Sequence, residues 1–173
     1  MERPSNDHKN EIIDVVNDND EVLKQISRED SYTLLGEGEF VRVVNAFIVN
    51  SKGELWIPKR TATKRNFPNC LDFSCGGYVQ AGETYEDALK EELKEELNLE
   101  TENIELMGYL SPIKDGVAAF MRVYKISQDE PPVFNTDDVQ SAEWISPHDL
   151  AKKLEAGTPA KSDIMVLLKH FFL

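Results

Sequence analysis

The chain has 173 residues, 40% of them apolar, and a formal net charge of −13. That is enough apolar side chain for one ordinary core, and no run of about 18 apolar residues is present to cross a bilayer as a helix. The acidic balance excludes non-specific binding to nucleic acid or to an anionic membrane surface.

Residues 1–10 are expected to be a mobile tail and residues 11–173 a single domain. The opening MERPSNDHKNE is polar and lacks an apolar h-region, so it is not expected to be a signal peptide. Glu11 to Ile26 reads as a hairpin, with IIDVV and EVLKQI joined by the turn NDND. Residues 28–40, polar with Gly36 and Gly38, read as loop. VRVVNAFIV (41–49) is rich in β-branched residues, and ELWIP (54–58) follows the turn NSKG, which predicts a second hairpin. KRTATKRNFPN (59–69) is a basic loop, and LDFSCGG (71–77) a short strand ending in glycines. Cys70 and Cys75 fit neither a CxxC redox pair nor a zinc knuckle and read as reduced thiols, so the expected compartment is cytoplasmic.

Thr84 is placed to cap a helix, with Asp87 as its capping-box partner. Tyr85, Leu89, Leu93 and Leu97 make an i,i+4 apolar stripe, and Asn98 can serve as the C-cap. IELMGYL (104–110) and VAAFMRVYKI (117–126) read as strands, and 134–145 as a loop leading to a short strand around Trp144. HDLAKKLEAG (148–157) and SDIMVLLKHFFL (162–173) read as closing helices, the second capped by Ser162. Strands, one helix, strands and then helices predict an α/β sandwich with a mixed sheet between helices.

Charge is distributed unevenly along these elements. Glu83 to Glu100 carries −6 of the net −13. Like charges at i,i+4 repel, and Glu92, Glu95 and Glu96 have helical spacing beside the leucine stripe. Read alone, these three are a solvated acidic face. Such a cluster usually needs a cation, and hard divalent ions with oxygen ligands are the obvious ones.

Gly77 to Leu99 resembles the Nudix box, G-x5-E-x7-R-E-U-x-E-E-x-G-U, with U a bulky aliphatic residue. Gly77 stands at the opening glycine and Glu83 follows after five residues. Glu92, Leu93, Glu95, Glu96 and Leu99 match at the required spacing. Two positions depart from the pattern: Glu91 stands where the family has arginine, and Asn98 where it has the final glycine. The pair Gly76–Gly77, the upstream Lys59 and Arg60, and the segment Trp144 to Leu150 extend the likeness over roughly residues 11–155.

The resemblance implies a Nudix-type α/β/α sandwich that hydrolyses a nucleoside diphosphate linked to another group. Water would attack a phosphorus of the pyrophosphate with the help of Mg2+, for which Mn2+ can substitute. Carried over, Glu92, Glu95 and Glu96 are the catalytic metal ligands. A backbone carbonyl at Gly76 or Gly77 would complete the shell, and Gly77, Glu83 and Glu91 are structural positions. Glu92, Glu95 and the loop acids Asp115, Asp137 and Asp138 are candidates to orient or deprotonate the water. In the family the box arginine usually pairs with the first glutamate. Here Glu83 and Glu91 are two carboxylates in that place, and Lys90, Lys94, a metal ion or a raised carboxylate pKa must compensate.

Lys59, Arg60, Lys64 and Arg65 read either as a solvated basic loop or as a phosphate-facing cluster. Arg42, in a strand, reaches substrate or snorkels. Phe67 can stack on a base, whereas Trp56 and Trp144 are expected in the core. His8, His148 and His170 have no partner spacing and receive no role, and Cys75 reads as a small buried residue.

The pattern IIDVVNDNDEVL is similar to the isopentenyl-diphosphate-isomerase-like branch of the family, which raises an isomerase as an alternative. Such isomerases look to need a cysteine at the first glycine of the GG pair and histidines upstream. This chain has Gly76 there and no histidine in VRVVNAF, so a hydrolase of that branch fits better. A non-catalytic nucleotide-binding domain is a third reading, motivated by Glu91. The expected partner is a small-molecule nucleotide or diphosphate, with cytidine nucleotides first on a panel and neither nucleic acid nor membrane. The apolar end HFFL either joins a homodimer or caps the core.

Overall fold

A computed structural model describes residues 10–173, so all of the expected tail but Asn10 lies outside the described residues. The hairpin at the start is present as β1 (Ile12–Val16) and β2 (Val22–Ser27), antiparallel, with Ile13 opposite Ile26. Ser27 then accepts a hydrogen bond from the amide of Asp30 and opens a helix, α1 (Arg28–Leu34). The segment 28–40 is therefore not all loop. Its start signal, a serine cap followed by Glu29 and Asp30 in the first turn, is an ordinary helix opening. Its polarity and its two glycines concealed it.

The rest follows as β3 (Arg42–Val49), β4 (Leu55–Arg60), β5 (Cys75–Tyr78), α2 (Tyr85–Leu97), β6 (Ile104–Leu110), α3 (Pro112–Asp115), β7 (Phe120–Ser127), β8 (Val139–Ile145), α4 (Pro147–Glu155) and α5 (Ile164–Phe171). The main sheet runs β6-β7-β3-β4-β8, with β5 added alongside β3. β3 and β7 are parallel and the other pairs antiparallel, so the sheet is mixed. β3 pairs with β4 only at Val49–Leu55, which frees its first half, Val43 to Ala46, to pair with β5.

Because strand side chains alternate in direction, β3 feeds two cores. Val44, Ala46 and Ile48 pack with Leu89, Leu93 and Leu97 of α2. Phe47 and Val49 pack with Leu150 of α4 and Leu167 and Leu168 of α5. The result is the α/β/α sandwich.

α2 has the ends expected of it. Thr84 Oγ1 accepts from the amide of Asp87, whose carboxylate accepts from the amide of Thr84. Asn98 closes the helix at φ 49°, the left-handed conformation that asparagine tolerates. α5 differs from expectation. Ser162 does not cap it; Asp163 holds the N-cap position, and its carboxylate accepts the amide of Ala118 instead. α4 is capped by Ser146, whose Oγ accepts from the amide of Asp149. Phe171 and Phe172 pack on the α4–α5 core, Phe172 edge-on to Phe47 at 5.1 Å, so the rings of HFFL cover the core. Trp56 is buried and Trp144 packs beside it. No helix among the described residues is long and apolar enough to cross a membrane.

Candidate active site

β5 and α2 meet at two glycines, and the meeting sets the site. Gly77 pairs with Val44 across the sheet, and a Cβ there would lie 2.8 Å from Cγ of Glu92 and closer still to its carboxylate. A Cβ on Gly76 would lie 3.0 Å from the carbonyl oxygen of Val44 and overlap the side-chain amide of Asn45. Neither position admits a side chain without displacing a neighbour. The absence of one lets Glu92 lie flat on the strand, where it is only 8% exposed.

A cleft of about 350 Å³ opens beside it. Glu92, Glu96, Gly76 and Gly77 line the cleft together with Arg28, Arg60, Lys64 and Lys161. Asn45, Phe73 and Met121 line it further, as do the aromatic rings of Tyr32 and Phe67.

The cations are fixed by acids rather than loose. Arg60 Nη1 lies 2.7 Å from Asp72 Oδ2, and Lys161 Nζ 3.3 Å from Asp72 Oδ1. Lys64 pairs with the buried Asp138. The charges of Lys161 and Arg60 hold the Asp72 carboxyl below its ordinary range, against the cost of its burial.

The acids of α2 are under strain of the opposite sign. Burial, and then the charge of Glu96, push the Glu92 carboxyl well above its ordinary range, while Arg28 pulls it down. Glu96 is raised to about 7 by burial and then by Asp72 and Asp138, with Lys64 and Lys161 opposing. The Cys75 thiol donates to Glu96 Oε2 at 3.6 Å and is itself pushed well up by burial and by that carboxylate. Glu83 accepts the amide of Gln80 at 2.9 Å, bracing the loop before α2. Burial and a hydrogen bond with Glu91 raise Glu83 to about 7. The two carboxylates at the place of the missing arginine are thus reconciled by a raised pKa.

A NUDIX domain model matches residues 39–168. The chain belongs to the Nudix hydrolase family. It is an enzyme of the class that acts on acid-anhydride bonds, those of pyrophosphates among them. It is 50% identical over 164 residues to an uncharacterized Nudix hydrolase of Nostoc sp., covering 94% of this chain and 96% of that one. It is 43% identical over 164 residues to a Nudix hydrolase of Deinococcus radiodurans, covering 94% of each. The crystal structure of DR0079 from Deinococcus radiodurans superposes with a TM-score of 0.89 at 44% identity, covering 94% of this chain and all of that one.

Not every residue expected at the Nudix site is in the cleft. Glu92, Glu96, Gly76, Gly77, Arg60, Lys64 and Phe67 line it. Glu95 is exposed and outside the lining. Among the described residues no three Asp, Glu, Cys or His side chains stand together as a ready cation cage. Arg42 is held by Asp14 and by Asp20, the latter at 2.7 Å. Lys59 lines a separate groove with Glu143 and Lys153. Arg65 pairs with Glu29 and lies 4.6 Å over the ring of Tyr32, which joins the basic loop to α1. Of the loop acids, Asp115 accepts the amide of Ser111, Asp137 is exposed, and Asp138 is the one whose charge reaches Glu96.

Sequence reading missed Arg28, Tyr32 and Lys161. Arg28 carries one signal, its place directly after a capping serine. Lys161 carries none, because it reaches the cleft from the distant connection between α4 and α5.

Proposed function

We propose that the chain hydrolyses the pyrophosphate bond of a nucleoside di- or triphosphate, or of a nucleoside diphosphate joined to another group, with Mg2+ as its ion and Mn2+ as a substitute. One observation carries this reading: the cleft holds two glutamates and four acid-anchored cations, Arg28, Arg60, Lys64 and Lys161, in the same space of about 350 Å³. Phosphoryl oxygens call for fixed cationic donors. Carboxylates beside them can serve only with a divalent ion in between.

The donor set suits such an ion. Glu92 and Glu96 lie one turn apart, burial keeps both above the ordinary carboxylate range, and each would gain from a hard cation. A bound ion would neutralise them and polarise a phosphoryl oxygen. Glu92 and Glu96 would hold it, with a backbone carbonyl at Gly76 or Gly77.

The other residues bind and orient. Asp72 aims Arg60 and Lys161, and Asp138 aims Lys64, so the phosphate groups would meet a preset array rather than mobile side chains. Phe67, 42% exposed at φ 52°, and Tyr32 offer rings to a base. The isomerase alternative has less support, since Cys75 is buried in the α2 core and spends its thiol on Glu96.

Phosphate release from a panel of nucleotides with Mg2+, headed by cytidine nucleotides, tests the reading. Glu92→Gln is expected to lose more than the roughly 10–100-fold typical of an outer-shell partner of a metal. Turnover unchanged in Glu92→Gln, or no turnover of any compound on the panel, would overturn it.

A further inference from the structure

We propose that Asn45 determines which base the site accepts, its side-chain amide pairing with the hydrogen-bonding edge of the nucleobase. This deepens the hydrolytic reading and rests on it. The glycine pair points to the residue. Successive residues of a strand face opposite ways, and each glycine clears room on its own face of β5. Gly77 makes room for Glu92, and Gly76 for Asn45, whose Oδ1 would lie 2.4 Å from a Cβ at position 76. Asn45 stands opposite Gly76 in the β3–β5 ladder, and residues so paired share a face. The two glycines thus seat two polar groups, a carboxylate on one side and a neutral amide on the other.

That amide is buried and poorly used. Asn45 is only 5% exposed, yet it lines the cleft. Among the described residues, its one side-chain hydrogen bond runs from Nδ2 to Met121 Sδ at 3.6 Å. A thioether is a weak acceptor, whereas an asparagine side chain offers two donors and a carbonyl oxygen. A buried amide short of partners carries the cost of the hydrogen bonds it has lost. Packing alone would therefore favour an apolar residue beside Val43, Phe73 and Met121, which line the same cleft. A ligand that brings both an acceptor and a donor recovers the cost.

The chemistry of that ligand follows from what shares the cleft. Phosphate oxygens are drawn to Arg60, Lys64 and Lys161, and a neutral amide adds little beside them. The edge of a nucleobase sets a donor next to an acceptor, a pattern that an asparagine amide can match with two hydrogen bonds. The rings of Phe67 and Tyr32 line the same cleft and can stack on the face of the base whose edge Asn45 reads. A site built this way rejects a base that leaves its buried amide unpaired.

Asn45→Leu keeps the outline of the side chain and removes its amide, and Asn45→Ala removes the amide with less volume. A change common to both belongs to the amide rather than to packing. The probes are the triphosphates of adenosine, cytidine, guanosine and uridine with Mg2+. The wild type is expected to prefer one base by about tenfold or more in kcat/KM. Both variants should lower kcat/KM for that nucleotide about 10–100-fold, leave the least preferred nearly unchanged, and so level the four. In metal-free buffer, calorimetric titration with the corresponding nucleoside monophosphates should show the same levelling in Kd. An equal loss for every base would assign Asn45 to the phosphates or to the fold and overturn the proposal. So would a preference that survives in either variant, or a wild type without base preference in turnover and in binding. If the wild type binds with preference yet hydrolyses none of the four, the hydrolytic reading fails, and the metal-free titration still decides the role of Asn45.

Discussion

Gly77→Ala perturbs the site by a single methyl group. The added carbon would lie 2.8 Å from Cγ of Glu92 and closer to the carboxylate. Carbon atoms pack at about 3.5–4.0 Å, and Cδ of Glu92 would lie at 2.3 Å, so the carboxyl carbon must retreat by about 1.2 Å. Its helix cannot follow easily, because Leu89 and Leu93 on either side of Glu92 are buried against the sheet. Overpacking of this kind costs about 1–3 kcal/mol, which for a chain of this size lowers Tm by roughly 2–4 °C per kcal/mol. The loss of activity should be larger than the loss of stability suggests. A misplacement of about 1 Å in a catalytic group can cost about 100-fold, and the displaced group here is Glu92 itself. Differential scanning calorimetry and Mg2+-dependent phosphate release, measured on the same preparation, check both numbers. Gly77→Ala with the wild-type rate and wild-type melting would refute the claim that this glycine exists to seat Glu92.

Two further outcomes follow from the charges of the site. Glu83 has its pKa raised to about 7 from an ordinary 4.5 by burial and by Glu91. Stability contributed by its protonated form is therefore complete below about pH 4.5 and lost as pH rises through about 7. Glu83→Gln keeps an acceptor for the Gln80 amide, so the fall in Tm between those two pH values should be shallower than in the wild type; an identical slope would contradict it. Lys161→Ala removes a cleft cation held 3.3 Å from Asp72. A hydrogen bond from a charged donor is worth about 1.5–3 kcal/mol, so KM should rise about tenfold or more with a smaller change in kcat; an unchanged KM would remove Lys161 from the binding surface.

What could be read from the sequence was what is local. The cap at Thr84, the stripe Tyr85–Leu89–Leu93–Leu97 and the left-handed Asn98 each depend on neighbours within a few residues, and α2 has the bounds they set. Glu92 and Glu96 could be singled out because their spacing to Gly77 and Glu83 resembles the Nudix box. Glu95 shares that spacing yet stands exposed, since one position along a helix turns a side chain by about 100° and out of the cleft. The parallel pairing of β3 with β7 joins segments far apart in the chain and has no local signature. The same holds for Lys161 and Asp72, which meet across 89 residues. Arg28 lay in a segment whose glycines and polar residues pointed to loop, and its helix was hidden behind one capping serine.

The central claim is that the cleft between Glu92, Glu96 and the cations Arg60, Lys64 and Lys161 receives the pyrophosphate. A crystal structure of the protein with Mg2+ and a non-hydrolysable nucleoside diphosphate analogue tests it most directly. The account predicts an ion on the carboxylates of Glu92 and Glu96, with phosphate oxygens within hydrogen-bond reach of Arg60, Lys64 or Lys161. A nucleotide seated in the groove of Lys59 and Lys153, or an ion held without Glu92, would contradict it.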